Sequence, residues 1–228
     1  MDTKAAVKQK LDSIRAGITD LSHRIHSNPE EGFAETKAAE WTARMLEDAG
    51  FEVQRGICDL PTAFSAKAGK GPLRLCFCAE YDALADIGHA CGHNIIAAAA
   101  VGAGIAAATV ADALGLTIAV IGTPAEENGD TGGKILLLER GAFDGMHAAM
   151  MIHPAPFDVL TPKVIAATMF DVHYTGKEAH ASAFPEMGIN AADALTIAQT
   201  AIGLLRQHIP STTRIHGIVT HGGDAPNV

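Results

Sequence analysis

The sequence predicts an α/β fold in which helices cover a mixed, largely parallel sheet. Two apolar runs, at 73–79 and 116–123, have the length and composition of buried strands. Two helical stretches, at 94–111 and 133–140, follow these strands along the chain. Because parallel neighbours need a crossover connection, usually a helix, this alternation is typical of sheets that contain parallel strands.

Two helices are predicted before the sheet. The first covers 4–27, is amphipathic, and ends where Asn28-Pro29 cannot continue it. The second covers 35–48, and Gly50 serves as its C-terminal cap. Two short strands then follow, separated by proline and glycine, at 51–55 and 63–68.

A second unit is predicted beyond a proline-rich linker. Pro154, Pro156 and Pro162 interrupt regular structure after the first unit. The residues beyond them predict a β-α-β unit, with strands at 168–174 and 213–221 and a helix at 190–208. We therefore expect two domains, 1–162 and 163–228.

The composition argues against two classes of partner. The 228 residues contain 17 Lys and Arg against 26 Asp and Glu, a net charge of -9, whereas a nucleic-acid partner requires a basic surface. The stretch 95–111 is uncharged, but it consists mainly of Ala and Gly and is shorter than the roughly twenty residues of a membrane span. A buried helix is therefore predicted there, and no membrane partner is expected.

Cysteine usage and the first residues favour a cytoplasmic protein. Cys76 and Cys78 lie two positions apart, on one face of the strand predicted at 73–79, as reduced core residues would. The start of the sequence lacks the apolar stretch of a secretory signal.

Candidate metal ligands occur at four positions in the first unit. Cys91 and His93 are followed by Glu127 and His153, and these residue types are the ligands that zinc and manganese prefer. Each position taken alone also fits a buried cysteine, a solvated carboxylate or a hydrogen-bonded histidine. All four, however, follow predicted strands, and open α/β sheets place their sites at the carboxyl ends of strands.

Glu126 and Glu127 are adjacent, and this suits two different roles. In an extended or turning backbone, neighbouring side chains point in different directions. One carboxylate can therefore bind a metal while the other faces a substrate as a proton carrier, which is the minimum required to hydrolyse an amide with metal-activated water.

A different class of protein is suggested by Gly102, Gly104 and Ala107, which match the dinucleotide-binding pattern of an oxidoreductase. That pattern belongs in a turn directly after a strand. Here it falls inside the predicted apolar helix, so the glycines are expected to serve helix packing.

Several motifs together resemble one known family. They are Arg24-Ile25-His26 with Pro29-Glu30 and Glu35, the run 80–84, the run 88–93, the run 124–127, His153, and the run 175–181. In these motifs the chain is similar to the aminoacylase and carboxypeptidase-type metallopeptidases. Within them it resembles the amidohydrolases that include p-aminobenzoyl-glutamate hydrolase and β-alanyl-dipeptide hydrolases.

The resemblance implies a zinc-exopeptidase-like catalytic domain and part of a smaller α+β lid, which also forms a homodimer. By position it implies that one or two zinc or manganese ions are bound by Cys91, His93, Glu127 and His153. It further implies Glu126 as general base, Asp82 as the residue that orients a ligand, and His180 of the lid as an oxyanion donor to the partner's site. The role of His89 stays open between ligand, supporting partner and loop residue.

The implied substrate is a small N-acyl amino acid, an aminobenzoyl-glutamate-like compound or a dipeptide. Members of this family are considerably longer than 228 residues. A second hypothesis is therefore a truncated, non-catalytic relative that acts as a dimeric binding or interaction protein.

Overall fold

The computed structural model describes residues 2–227. The chain divides into two compact units between Pro162 and Lys163. The first unit holds a five-stranded sheet and four helices, and the second holds one long helix.

Two helices open the first unit. α1 spans Thr3–His26, and the Asp2 side chain caps it by accepting hydrogen bonds from the backbone N–H groups of Lys4 and Ala5. α2 spans Thr36–Asp48. The carboxylate of Glu30 accepts from the N–H groups of Lys37 and Ala38, so the first turn of α2 is also closed by a negative group.

The sheet combines antiparallel and parallel pairs, in the order β1-β2-β4-β3-β5. β1 pairs antiparallel with β2, and β2 pairs antiparallel with β4. β3 lies parallel to both β4 and β5. The strands are β1 (Glu52–Arg55), β2 (Phe64–Ala68), β3 (Leu73–Ala79), β4 (Leu116–Gly122) and β5 (Ala148–Met150). The mixed sheet predicted from the sequence is confirmed.

Apolar side chains cover both faces of the sheet. On one face, α1, α2 and α3 (His93–Ala111) form the larger core with residues such as Leu21, Leu46 and Val120. On the other face, Cys76 and Cys78 join a smaller cluster that includes α4 (Gly133–Glu139). Both cysteines are free thiols, as the sequence predicted.

α3 is the uncharged helix that the sequence predicted to be buried. His93–Leu114 has the length and mean hydropathy, 1.8, of a candidate membrane span, and 67% of that window is buried inside the protein. Its glycines serve packing: a Cβ on Gly104 would lie 2.4 Å from Cγ2 of Val120, and one on Gly102 would lie 3.2 Å from Cδ1 of Ile18. Since both glycines lie within a helix, the dinucleotide-binding interpretation has no turn to support it.

The second unit differs from its prediction. α5 spans Ala191–Leu205 and lies within the helix predicted at 190–208. The strands predicted at 168–174 and 213–221 were wrong, because neither segment is a strand in the described part of the chain. Alternating side chains suit a pleated surface, but a strand also needs a hydrogen-bonded neighbour. The second unit contains one isolated bridge, between Lys177 and Ile189.

We predict that Gly104→Ala destabilises the protein by about 1–3 kcal/mol, because the new methyl group overpacks against β4. The matched control is Gly203→Ala in α5, where a Cβ meets no atom within 4 Å. Alanine should raise the stability there by up to about 1 kcal/mol through helix propensity. Urea unfolding of both variants measures the difference, and equal midpoints would contradict the packing role of Gly104.

Candidate metal centre

The candidate site lies where three strands end. β3 runs parallel to β4 and β5, so the carboxyl ends of all three strands meet at one edge of the sheet. The chain leaving β3 carries Glu80 and Asp82, the chain leaving β4 carries Glu126 and Glu127, and His153 follows β5. Parallel pairing therefore gathers residues that lie far apart in the sequence.

His93, at the first position of α3, is the centre of the group. Its Nε2 lies 3.4 Å from an oxygen of Glu80, 3.6 Å from one of Glu126 and 3.7 Å from one of Glu127. Among the described residues, Glu80, His93 and Glu126 have ligand atoms that all lie within 4.8 Å of one another. Three ligand atoms this close can hold one cation.

Asp82 fixes the orientation of the His93 ring. Its Oδ1 lies 2.8 Å from Nδ1 of His93, and its Oδ2 accepts a hydrogen bond of 2.9 Å from the backbone N–H of Glu127. A proton on Nδ1 leaves Nε2 as the nitrogen that faces the carboxylates. Asp82 therefore joins the imidazole to the loop that carries Glu126 and Glu127.

The donor atoms fit a divalent metal ion. Oε2 of Glu80 and Nε2 of His93 are buried without a hydrogen-bond partner, although buried polar atoms are normally paired. Both face the same point, with the carboxylates of Glu126 and Glu127 beside them. A cation at this point would satisfy the two unpaired atoms and offset the repulsion between the carboxylates.

One positive side chain already lies at the edge of this group. The ammonium of Lys134, at the second position of α4, contacts Oε1 of Glu80. Glu80 is 1% exposed, and Lys134 is partly exposed. Lys134 thus compensates one oxygen of the buried carboxylate and leaves the other facing His93.

The pKa values of these groups reflect burial and crowding. Burial lowers the pKa of His93, but Asp82 and the nearby Glu80 and Glu127 raise it above its ordinary value overall. Burial raises the pKa of Asp82, yet the hydrogen bonds with His93 and Glu127 bring it below the ordinary value. In Glu126, burial and the charge of Glu80 raise the pKa.

Cys91 and His153 lie near this group but outside its tightest part. The thiol of Cys91 faces the carboxylate of Glu127, which together with burial raises the thiol pKa to about 11. The rings of His153 and His93 meet edge to face with centroids 6.3 Å apart, and Nδ1 of His153 lies 2.8 Å from the carbonyl oxygen of Pro154. Their assignment as ligands stays a prediction.

Gly92 allows the loop after β5 to come close to α3. It has φ of +80°, and a Cβ there would lie 2.8 Å from Cγ of Pro154. Next to Cys91 is an open cavity of about 400 Å³, lined by residues that include His26, His89 and Asn94. This volume lies in the range of small-molecule sites, so the candidate ligands border a space that a substrate can enter.

His89 is buried, and neither of its ring nitrogens has a hydrogen-bond partner. Its ring stacks on that of His26, with centroids 6.3 Å apart, and burial together with the charge of His26 lowers its pKa. His89 is therefore placed as a neutral histidine beside the cavity.

His180 belongs to the second unit, where it is exposed. Its Nδ1 accepts a hydrogen bond of 3.3 Å from the backbone N–H of Ser182. The ring proton then resides on Nε2, which is free to donate.

The sequence analysis did not single out Glu80 and Lys134. Glu80 was noted only as part of a motif, although it directly follows β3. The signal that drew attention to Glu126, an acidic residue just past a predicted strand, would also have identified Glu80. Lys134 carries no comparable signal, because a lysine in the first turn of a helix is usually solvated.

Comparison with known proteins gives consistent results. No protein-family model matches the chain. It is similar to the Xaa-Arg dipeptidase of Mus musculus, with 39% identity over 240 residues, covering 99% of this chain and 55% of the relative. It is also similar to a p-aminobenzoyl-glutamate hydrolase of Escherichia coli, with 33% identity, covering 97% of this chain and 50% of the relative. The chain spans about half the length of these curated relatives.

Solved structures show the same fold. A dinuclear metal-binding peptidase of the M20 family from Bacillus subtilis aligns with a TM-score of 0.56 and 23% identity, over 64% of this chain and 44% of that structure. A tripeptidase from Staphylococcus aureus aligns with a TM-score of 0.54 and 14% identity, over 92% of this chain and 62% of that structure. The zinc-exopeptidase-like architecture expected from the sequence is thereby confirmed.

We predict that the metal-free protein loses stability as the pH rises from about 6.5, the ordinary pKa of histidine, toward about 9. The raised pKa of His93 means that the folded state holds this proton more tightly than the unfolded state. Its contribution is therefore complete at low pH and disappears as the pH rises through the folded-state pKa. Urea unfolding across this range measures the loss.

In the same series, His93→Gln should remove most of the pH dependence, because glutamine carries no proton that titrates there. A decline of equal size in this variant would show that other groups cause it.

Proposed function

The chain belongs to the aminoacylase and carboxypeptidase-type metallopeptidase family, and from that premise we propose that it serves metal-dependent hydrolysis of an amide bond. The observation that carries the proposal is the pair of buried, unpaired donor atoms on Glu80 and His93, which face the carboxylates after β4. We assign the metal-binding catalytic role to the first unit, 1–162, and the lid and dimerisation role to 163–228.

The proposed ligands are His93, Glu127, Cys91 and His153, with Glu80 as an additional donor. A zinc or manganese ion held by them would polarise the scissile carbonyl and acidify the attacking water. A thiolate ligand favours zinc, whereas a set of imidazole and carboxylate groups accepts either metal.

The two adjacent glutamates differ in ways that support different roles. The side chain of Glu127 is 23% exposed, its backbone N–H is bound by Asp82, and its carboxylate faces Cys91. Glu126 is 42% exposed and has a pKa raised by burial and by Glu80. Glu127 is thus held among proposed ligands, while Glu126 is nearer to solvent and suits a group that takes up a proton near neutral pH.

The chain's own residues then divide the chemistry. Glu126 accepts the proton of the attacking water and returns it to the departing amine. Asp82 keeps the Nδ1 proton of His93 in place, so that Nε2 stays available as a donor to a cation.

His180 is the proposed donor to the developing oxyanion in the active site of a second copy of the chain. The hydrogen bond from Ser182 to its Nδ1 supports this role, because it leaves a proton on the exposed Nε2. The proposal implies a homodimer that forms through the second unit.

The proposed substrate is a dipeptide, an aminobenzoyl-glutamate-like compound or another N-acyl amino acid. The names of the two curated relatives support this class, and the cavity next to Cys91 has room for a molecule of that size. A cytoplasmic location is proposed because all four cysteines are free thiols.

We expect the 228-residue chain, loaded with zinc or manganese, to release free amino acid from Xaa-Arg dipeptides or from p-aminobenzoyl-glutamate. Prior treatment with a chelator should abolish this activity, and added metal should restore it. Retention of metal without any turnover would instead favour the second hypothesis, a non-catalytic binding protein.

The roles of the two glutamates are separated by parallel substitutions. Glu126→Gln should lower kcat by about 10²–10⁴-fold, the usual contribution of a general base, while the metal dissociation constant stays close to that of the wild type. Glu127→Gln should weaken metal binding by at least about tenfold, since even residues that only support a ligand contribute that much. The opposite pattern in kinetics and metal titration would reverse the assignment.

A further inference from the structure

Glu35 is a buried carboxylate that the proposed chemistry does not use. Its side chain is fully buried, at 0% exposure, and no cationic side chain within residues 2–227 forms an ion pair with it. Two neutral donors hold it instead: the backbone N–H of Ala125 at 2.7 Å and the hydroxyl of Thr62 at 2.9 Å. Burial raises its pKa, and these hydrogen bonds oppose the increase. A buried acid is costly, so its contacts require an explanation.

Capping of the nearby helix does not explain it. Glu35 directly precedes α2, where a carboxylate often binds the first N–H groups of a helix, but it makes no such bond. Glu30 takes that role by accepting from the N–H groups of Lys37 and Ala38. The carboxylate of Glu35 is therefore turned away from its own helix, into the interior.

One oxygen of Glu35 holds the loop that carries Glu126 and Glu127. Ala125 directly precedes these residues and has φ of +53°, a left-handed conformation that costs a residue with a Cβ roughly 1 kcal/mol. The hydrogen bond from its N–H to Glu35 keeps the chain in this conformation. The next two residues are thereby directed toward His93.

The other oxygen of Glu35 connects to the loop after β3. Thr62 donates to Glu35 through its hydroxyl, and the carbonyl oxygen of Thr62 accepts from the hydroxyl of Tyr81. Tyr81 is fully buried and lies between Glu80 and Asp82 in the sequence. One carboxylate thus reaches both loops that supply the candidate centre.

We propose that Glu35 is a positioning residue that sets the placement of the Glu126-Glu127 loop relative to the Glu80–Asp82 loop, and so the geometry of the metal ligands. The inference rests on the proposed function, because it assumes that the ligands bind a cation. Glu35 acts through its two hydrogen bonds and touches neither the metal ligands nor the substrate.

The test compares two residues of similar size at this position. Glu35→Met removes the acceptor atoms, and we expect it to weaken Co²⁺ or Zn²⁺ binding by about 10–100-fold, as loss of an outer partner of a metal site does. Glu35→Gln keeps an acceptor for Ala125 and should retain an affinity within about threefold of the wild type. Metal titration gives the affinities, and the visible absorption of bound Co²⁺ reports the ligand geometry.

A matched control separates positioning from stability. Glu30→Met removes a carboxylate that also binds backbone N–H groups but caps α2. It should lower the urea midpoint while the Co²⁺ spectrum and affinity remain those of the wild type. If Glu35→Met behaves in the same way, Glu35 has only a structural role and the inference is overturned.

Two further outcomes are distinguishable. If Glu35→Met does not fold, Thr62→Val removes one of the two connections with little change in volume. We then expect an altered Co²⁺ spectrum and a weaker affinity, and an unchanged spectrum would refute the inference. If the wild-type chain binds no metal, the proposed function fails and the inference fails with it. Wild-type binding that Glu35→Met leaves unchanged removes the inference alone.

Discussion

The hydrogen bond between Asp82 and His93 is the interaction on which the candidate centre depends. It fixes which ring nitrogen carries the proton, and it directs the other nitrogen toward Glu80, Glu126 and Glu127. The second oxygen of Asp82 binds the backbone of Glu127, so the same side chain ties the loop after β3 to the loop after β4. Without this carboxylate, neither the ring nor the loop would have a defined position relative to the other.

The sheet makes such an arrangement possible and also makes it costly. Parallel pairing of β3 with β4 and β5 brings three chain ends to one edge, where several acidic side chains come together. Glu80 and Asp82 are almost fully buried there, and crowded, buried carboxylates repel one another. Lys134 and His93 offset part of this charge, and a divalent cation would offset more. The large apolar core on the α1–α3 side supplies the stability that a strained, charged edge requires.

Local sequence signals predicted the first unit well, because its elements are set by local periodicity and by end signals. β3 has the predicted bounds, and α1 and α2 lie within one residue of theirs. The shared edge of the candidate ligands also followed from strand order. The second unit was less predictable, because a strand depends on a partner that local pattern does not reveal, and 168–174 and 213–221 have none in the described part of the chain. Glu35 and Lys134 escaped for a similar reason: their roles arise from contacts with residues 90 and 54 positions away.

The central claim is that the group around His93 is a cation site. X-ray absorption spectroscopy of the zinc-loaded 228-residue chain, after dialysis to remove loosely held metal, tests it most directly. We predict a first coordination shell of nitrogen and oxygen atoms at about 2.0–2.2 Å that includes imidazole, with a sulfur at about 2.3 Å if Cys91 takes part. Loss of all zinc on dialysis, or a shell of oxygen atoms without imidazole, would contradict the claim.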